Sequence, residues 1–252
     1  MTDIILETFD LSKNFKGFSA VKDVNLQVSR GAIHALIGPN GAGKTTVFNL
    51  LTKFLQPSSG KIMYNGIDIT GEESADIARR GIVRSFQISA VFPQLTAMEN
   101  VRIALQRKAG TEFHFWKSER VLSRLNQRAM ELLGTVDLEN FADTLAGDLP
   151  YGRKRTLEIA TTLALDPEML LLDEPTQGMG HEDVDMIKHM IKRVSENRTT
   201  LMVEHNMQVI ADISDTITVL QRGQILAQGN YAEVSSNPAV REAYMGSDDV
   251  EY

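Results

Sequence analysis

One loop motif constrains this chain more than any other feature. Residues 38–45 read Gly-Pro-Asn-Gly-Ala-Gly-Lys-Thr and satisfy the pattern G-x-x-x-x-G-K-[ST] in full. Glycine has no Cβ, so successive backbone N–H groups in such a loop can converge on phosphate oxygens. A lysine at the position of Lys44 reaches the β- and γ-phosphates of a nucleotide, and the hydroxyl of Thr45 ligates Mg²⁺.

The surroundings of the motif support a phosphate-binding role. It follows an apolar segment at 33–37 and precedes a predicted helix over 45–54, whose positive N-terminal end faces the same phosphates. We therefore expect a strand–loop–helix unit that binds a nucleoside triphosphate. The predicted binding residues are Gly38, Pro39, Asn40, Gly41, Ala42, Gly43, Lys44, Thr45 and Thr46.

A second candidate element is an apolar segment, residues 169–172, that ends in Asp173 and Glu174. A strand buried on both faces would deliver Asp173 at its carboxyl end, where a carboxylate can coordinate Mg²⁺ beside the phosphate loop. Glu174 would then polarise a water for in-line attack on the γ-phosphate. Without the phosphate loop, two solvated acids capping a strand would be the simpler interpretation.

Strand and helix patterns alternate along most of the chain, which favours an α/β fold with a mainly parallel sheet. Residues 97–145 differ, because strand signals fade there and helical spacing takes over, which indicates a helical insertion. The predicted strands are 4–9, 24–28, 33–37, a hairpin at 61–70, 169–172, 199–203, 215–220 and 224–227, and the predicted helices are 45–54, 119–133, 156–165 and 184–194. A loop is expected between 9 and 24.

Composition narrows the class of protein. The chain has 252 residues, 42% of them hydrophobic, no cysteine, and a formal net charge of −7. Zero cysteines exclude disulfides, thiolate metal sites and a cysteine nucleophile. The acidic balance argues against nucleic acid as a partner, which would favour a basic face. No apolar run reaches the ~18–20 residues of a membrane span, and residues 1–4 do not resemble a signal peptide.

Three segments together resemble a known family. The phosphate loop at 38–45, Asp-Glu-Pro-Thr at 173–176 and Val-Glu-His at 203–205 are similar to the ATP-binding subunits of ABC transporters. The resemblance covers roughly residues 6–246. It implies ATP with Mg²⁺ as the bound species, and a P-loop NTPase core with a mainly parallel sheet, an N-terminal antiparallel β subdomain and an inserted helical subdomain.

The resemblance also implies a division of the chain. We expect a single ABC ATPase domain over 1–252, with the ATP-binding core at 1–96 and 146–230. The helical subdomain would occupy 97–145, and a C-terminal tail would occupy 231–252.

Further roles follow from the resemblance, residue by residue. Gln87 would touch Mg²⁺ and the attacking water and link the site to the helical subdomain, and His205 would contact the γ-phosphate. An aromatic near the start of the family's chains stacks on adenine; Phe15 is the expected one and Phe18 the alternative, although either could belong to the core. The implied catalytic residues are Glu174, His205, Lys44 and Gln87, and the implied metal ligands are Thr45, Gln87 and Asp173.

The signature segment departs from the family pattern. Where the family reads Leu-Ser-Gly-Gly-Gln and caps the γ-phosphate bound by the opposite subunit, residues 149–153 read Leu-Pro-Tyr-Gly-Arg. Pro150 has neither a hydroxyl nor an N–H to offer, although Gly152 is retained and Pro150 suits the first turn of a helix. A second departure is Gly180, where an Asp is common. The segment expected to contact nucleotide across a dimer is Leu149, Pro150, Tyr151, Gly152 and Arg153.

Short subfamily marks refine the resemblance. An aromatic such as Tyr151 and the C-terminal Ala-Tyr-Met-Gly at 243–246 resemble the uptake type for branched-chain amino acids or for urea and related amides. That type uses two different ATPase subunits, so a heterodimer is favoured over a homodimer. The implied partners are membrane permease subunits and, indirectly, a periplasmic or extracellular solute-binding protein, with the chain peripheral on the cytoplasmic face of the cell membrane.

Candidate docking surfaces for a permease are 92–100 and the aromatic cluster at 113–116, which could equally form the local core of the insertion. Other functions remain as alternatives. One is an ATPase subunit of a lipid or lipopolysaccharide exporter, and another is a non-transport ABC ATPase, which usually carries two cores or a long coiled coil. A regulatory GTPase would carry Asn-Lys-x-Asp, which this sequence lacks, and a P-loop kinase would need an acceptor site and an Arg-rich lid.

Overall fold

The computed structural model describes residues 3–85, 91–108 and 119–245. Within these ranges the strands are β1 Ile4–Phe15, β2 Phe18–Val24, β3 Gln27–Ser29, β4 Ile33–Ile37, β5 Ser59–Tyr64, β6 Ile67–Asp68, β7 Ile82–Ser85, β8 Met169–Asp173, β9 Thr199–Val203, β10 Thr216–Gln221 and β11 Gln224–Gly229. The helices are α1 Lys44–Leu51, α2 Ser74–Arg79, α3 Ala97–Lys108, α4 Glu119–Thr135, α5 Tyr151–Leu163, α6 His181–Ser195, α7 Met207–Ile213, α8 Tyr231–Ser236 and α9 Pro238–Met245. None of these described helices combines the length and apolarity that a membrane crossing needs.

The larger sheet has the strand order β11-β10-β4-β9-β8-β7. Its strands from β10 to β7 run parallel, and β11 returns antiparallel beside β10. Every residue of β4, β8 and β9 is buried, as expected for strands covered by helices on both faces. The predicted mainly parallel sheet in an α/β fold is therefore confirmed.

The second sheet is antiparallel, with the order β2-β1-β5-β6 and β3 pairing with β1. The expected loop between 9 and 24 is wrong, because β1 continues to Phe15 and turns through Lys16 and Gly17, both at positive φ, into β2. Polar residues in this stretch suggested a loop, but they take part in the pairing. The Ser12 hydroxyl, for example, accepts the Asp23 backbone N–H at 2.9 Å.

The predicted tight turn between β5 and β6 is confirmed, since Asn65 and Gly66 have φ of 50° and 73°. Such a pair of positive φ values closes a two-residue hairpin whose twist matches its strands. The predicted helical character of 97–145 is found in α3 and α4, which pack together through buried Val101, Leu105 and Leu132 among others.

Other bounds differ from the prediction. Helix α5 begins at Tyr151 instead of residue 156. Pro150 is the N-cap of this helix and does not lie in its first turn. Helix α1 ends at Leu51, three residues before the predicted end. Strand β7 and the helices α2, α7, α8 and α9 were not predicted, because they are too short to show a clear period.

One buried ionisable group lies at the centre of the larger sheet. His34 of β4 is 1% exposed, and its Nε2 lies 2.8 Å from the Thr218 hydroxyl of β10. Burial lowers the pKa of His34 to about 4 from an ordinary 6.5, because the charged imidazolium would lose its hydration. The folded chain therefore holds this side chain neutral at pH 5, where an unfolded chain would protonate it.

This difference predicts an acid-dependent loss of stability. Because the pKa of His34 is lower in the folded state, its contribution is fully present above pH 6.5 and is lost as the pH falls toward 4. Lowering the pH from 7.5 to 5 should cost about 2 kcal/mol of unfolding free energy through this group. In urea denaturation, the unfolding free energy of His34→Gln should fall by about 2 kcal/mol less than that of the wild type between pH 7.5 and 5. The control His189→Gln, on the exposed face of α6, should leave it unchanged, and an equal pH dependence in all three proteins would contradict the assignment.

Candidate functional site

The phosphate loop joins the carboxyl end of β4 to the start of α1, as predicted, and two of its glycines are required by close contacts. Gly38 has φ 147°, and a Cβ there would collide with the carbonyl oxygen of Leu220. Gly43 has φ 105°, and a Cβ there would lie 2.6 Å from the carbonyl oxygen of Ala20. The loop is therefore wedged between β10 and β2, and its backbone conformation depends on glycine at both ends.

Lys44 opens α1 and lies across its own loop. Its side chain is largely buried, and its Nζ donates to the carbonyl oxygens of Gly38 at 2.6 Å and Pro39 at 3.2 Å. The first turn of α1 contains no acidic residue, so no carboxylate there opposes the positive end of the helix dipole. Thr45 is exposed and Thr46 half-buried, which leaves the Thr45 hydroxyl accessible. This end of α1 is suited to bind an anion.

Asp173 ends β8 and is completely buried. Its Oδ2 accepts a hydrogen bond from the Arg84 guanidinium, and its Oδ1 has no hydrogen-bond partner among the described residues. Arg84, from β7, also donates to Asn49 Oδ1 at 2.6 Å and lies 5.6 Å from the ring centre of Phe48. One guanidinium thus joins β7, β8 and α1 beneath the phosphate loop.

The unpaired Oδ1 of Asp173 fits a hard divalent cation. Mg²⁺ prefers oxygen ligands and is usually held by one or two carboxylates together with phosphate oxygens. Asp173 offers a carboxylate oxygen and Thr45 a hydroxyl oxygen, and both are ligands of this kind. The described ranges contain no group of three or more His, Cys, Asp or Glu side chains able to hold a metal by themselves, so phosphate oxygens and water would have to complete the shell.

Glu174 follows Asp173 in a strained turn. Its φ is 46°, which is uncommon for a residue with a side chain, and its backbone N–H donates to the Val203 carbonyl at 2.9 Å. The turn closes when the Gln177 N–H donates to the Glu174 carbonyl at 3.1 Å. A backbone outlier at this position is consistent with a side chain held for a functional task.

His205 lies two residues beyond the end of β9, and its side chain is exposed while its backbone is fixed. Its N–H donates to Glu204 Oε2 at 2.8 Å, and the following Asn206 caps α7 by accepting from the N–H groups of Gln208 and Val209. The imidazole is therefore presented from a short, tied loop at the same sheet edge as Asp173.

Sequence reasoning assigned no role to Glu204. This carboxylate is completely buried and accepts hydrogen bonds from Thr176 on one side and from the His205–Asn206 backbone on the other. The available signal was an acid placed directly between the apolar end of a strand, Leu201–Val203, and a histidine. Local pattern could not show which groups would bond it.

The signature segment divides into buried and exposed parts. Leu149 is in the core, whereas Tyr151 is 60% exposed and its hydroxyl donates to the Gln177 carbonyl at 3.3 Å. A Cβ on Gly152 would lie 2.9 Å from the Asp183 carboxylate, so these elements approach closely. The Arg153 guanidinium stacks 4.4 Å from the Phe141 ring and donates to the Asp137 carbonyl at 2.7 Å, which places it against the helical insertion.

Phe15 and Phe18 are cross-strand partners at the end of the β1–β2 hairpin. They are 42% and 65% exposed, so the alternative that they belong to the core is wrong. Strand β2 brings Ala20 against Gly43, which places this aromatic hairpin end beside the phosphate loop. The choice between the two rings stays a prediction, and Lys13 Nζ lies 5.3 Å from the Phe15 ring centre.

Two predictions fall on residues outside the described ranges, namely Gln87 and the aromatic cluster at 113–116. A contact that the sequence did not reveal comes from the C-terminal helix α9. There the Tyr244 hydroxyl hydrogen-bonds the backbone of Gly38, while burial raises the pKa of the phenol. A segment recognised only as a subfamily mark therefore supports the first glycine of the phosphate loop.

Comparison with known proteins agrees with this geometry. The ABC transporter family profile matches residues 21–177, and the profile described as branched-chain amino acid ATP-binding cassette transporter matches residues 224–250. The high-affinity branched-chain amino acid transport ATP-binding protein BraF of Pseudomonas aeruginosa is 41% identical, over 98% of this chain and 99% of BraF.

Solved structures give the same result. The ADP conformation of MJ1267, an ATP-binding cassette of an ABC transporter, superposes with a TM-score of 0.86 at 29% identity, covering 98% of this chain and 100% of that one. A dimeric post-hydrolysis state of the cassette MJ0796, bound to ADP and Pi, gives 0.76 at 25% identity, covering 90% and 99%. The phosphate loop, the acid pair and these matches together establish that the chain belongs to the ABC transporter family, as one of its ATP-binding, ATP-hydrolysing subunits.

Proposed function

We propose that this subunit energises the uptake of branched-chain amino acids, or of related small amides and acids, across the cell membrane. The observation that carries the proposal is the second profile match, because residues 224–250 lie outside the ATPase core motifs and are specific to this transporter type. They include α8, α9 and Tyr244. The match favours uptake over the lipid-export alternative.

Hydrolysis would proceed at the edge where β4, β8 and β9 end. Glu174 orients a water and accepts its proton as the water oxygen attacks the γ-phosphorus, and the bond to the β–γ bridging oxygen breaks to release ADP and phosphate. Lys44 offsets charge on the β- and γ-phosphates, and His205 contacts the γ-phosphate. Phe15, or Phe18 in its place, stacks on adenine from the exposed hairpin end.

Asp173, Thr45 and Gln87 would hold the metal. When bound, Mg²⁺ would supply positive charge that offsets the negative charge developing on the phosphate oxygens. Arg84 already engages Oδ2 of Asp173, so Oδ1 is the oxygen that would be available to a cation or its water ligands.

The signature segment would complete the ATP site of a second ATPase subunit, and the chain is proposed to act in a heterodimer. Tyr151 is exposed at the start of α5 and Gly152 is buried beside it, so a partner's nucleotide would approach the helix end on the side of Tyr151. Pro150 donates no hydrogen bond there, so this half-site lacks contacts that the family's usual serine supplies. The two composite sites would then differ in strength, and the site built on Lys44 would be the more complete.

A permease would dock on the loop before α3. Phe92 is 54% exposed, and nearby Leu145 is 41% exposed beside Thr96, to which it is joined by a β-bridge. The loop is rigid because the buried Asn100 side chain bonds the Phe92 N–H at 2.7 Å and the Thr96 carbonyl at 2.9 Å. The subunit would thus be peripheral on the cytoplasmic face, as one ABC ATPase domain with its core at 1–96 and 146–230.

The first prediction of this function separates chemistry from binding. Glu174→Gln should bind Mg-ATP normally and lower hydrolysis about 100-fold or more, because the general base is lost while the shape is kept. Lys44→Ala should instead weaken ATP binding about 50-fold or more, because it removes a charge-assisted contact to the phosphates. Fluorescent-nucleotide titration and single-turnover hydrolysis would measure the two effects. Wild-type turnover in Glu174→Gln would reject the role of Glu174.

A second prediction concerns the partner. Size-exclusion chromatography with light scattering on Glu174→Gln should show a monomer in Mg-ATP alone and a dimer once the second ATPase subunit is added, because the signature half-site is weak. Pro150→Ser, which restores a hydroxyl and an N–H, should shift the isolated protein toward a homodimer. A stable homodimer of Glu174→Gln without that change would count against the heterodimer.

A third prediction concerns Tyr244. Tyr244→Phe should weaken ATP binding about fivefold, because the Gly38 backbone loses its buried hydrogen-bond partner. Tyr231→Phe in the neighbouring α8, where the ring is 37% exposed, provides a matched control with unchanged affinity. Equal dissociation constants for both variants would show that α9 does not support the loop.

A further inference from the structure

The buried carboxylate of Glu204 has no part in the proposed chemistry, yet it lies between two residues that do. We propose that Glu204 is a positioning residue that fixes the loop carrying His205 to the turn carrying Glu174. The water-orienting carboxylate and the imidazole that contacts the γ-phosphate would then keep one relative placement. The inference rests on the proposed function for its catalytic meaning, but its geometry stands independently.

One oxygen of Glu204 holds the turn after the acid pair. Oε1 accepts the backbone N–H of Thr176 at 3.1 Å and also the Thr176 hydroxyl. Thr176 is buried and lies two residues beyond Glu174. The same turn is tied a second time, because the Glu174 N–H donates to the carbonyl of Val203, the residue before Glu204.

The other oxygen holds the histidine loop. Oε2 accepts the N–H of His205 at 2.8 Å and the N–H of Asn206 at 3.1 Å. Asn206 is in turn the N-cap of α7, so the loop is fixed at both of its ends. The His205 side chain is left exposed on a backbone that cannot easily shift.

The energetics favour a role in placement over a role in stability. Withdrawing a carboxylate from water costs several kcal/mol unless its oxygens are satisfied, and an apolar residue of similar size is often at least as stabilising. Glu204 is fully buried and forms no salt bridge with any Lys, Arg or His in the described parts of the chain. Its four donors all belong to the two functional loops, so the charge is used to join them.

A carboxylate-to-amide exchange tests this directly. In Glu204→Gln the side chain keeps its shape, but its NH₂ group must face donors on one side, so one loop loses its acceptor. We expect amide hydrogen exchange at His205 and Asn206, or at Thr176, to accelerate at least tenfold. In the assembly with permease and second ATPase subunit, kcat should fall at least tenfold while the Kd for Mg-ATP stays within twofold.

Matched variants separate placement from general destabilisation. Glu168→Gln makes the same exchange at the opposite end of β8, where the carboxylate bonds Asn65 at 2.8 Å and Tyr64 at 3.1 Å; it should change Tm without changing kcat. Thr176→Val removes one donor and should lower kcat in the same direction, whereas Thr176→Ser retains the hydroxyl and should restore it.

A double-mutant cycle that combines Glu204→Gln with His205→Ala shows whether Glu204 acts through the histidine. The double variant should hydrolyse ATP no more slowly than His205→Ala alone, because the imidazole to be positioned is gone. The inference would be overturned if Glu204→Gln lowered kcat by the same factor in the wild-type and His205→Ala backgrounds. It would also be overturned if the affinity for Mg-ATP weakened in parallel with kcat. Unchanged hydrogen exchange at all three amides would also overturn the inference. A different result rejects the proposed function itself, namely equal rates of ATP hydrolysis in the wild-type and Glu174→Gln assemblies.

Discussion

The candidate site depends on one constraint, the common carboxyl end of three buried parallel strands. Val203 of β9 pairs with Asp173 of β8 on one side and with Leu36 of β4 on the other. The residues that follow these strands therefore emerge together as the phosphate loop, the acid pair and the histidine loop. Every residue of these strands is buried, and the backbone pairing between them keeps the three ends aligned.

Buried charge then fixes what the strands bring together. Arg84 joins Asp173 to Asn49 of α1, and Glu204 joins Thr176 to the backbone of His205. Removing a hydrogen-bond partner on one side of Arg84 or Glu204 would leave a polar atom unsatisfied and away from water, which costs folding free energy. Such ties contribute little to stability compared with apolar packing, but they allow few alternative arrangements of the loops. The backbone of this edge is thus fixed, while the side chains of Thr45 and His205 are exposed and those of Lys44 and Asp173 are buried.

Sequence reasoning succeeded where the signal was local. The glycine-lysine loop and the short, mainly apolar segments of β4, β8 and β9 predicted the strand–loop–helix unit, the parallel sheet and the placement of Asp173 and Glu174. It failed where partners are distant in sequence. Strand β7 is short and ends in Arg84 and Ser85, and its burial comes from pairing with β8. The contact of Tyr244 with Gly38 spans most of the chain, so no local period could indicate it.

The exposed start of α5 gives the heterodimer proposal its physical consequence. The Tyr151 hydroxyl donates to the Gln177 carbonyl, and the Gln177 N–H donates to the Glu174 carbonyl, so the signature segment contacts the turn that carries Glu174. If a partner's nucleotide draws Tyr151 away, the hydrogen bond to Gln177 must break or the turn must follow. In the proposed heterodimer, either response would link the weaker composite site to the geometry of Glu174 in the stronger one. Unequal sites would therefore still communicate, because the departure at Pro150 removes donors to nucleotide without removing this internal contact.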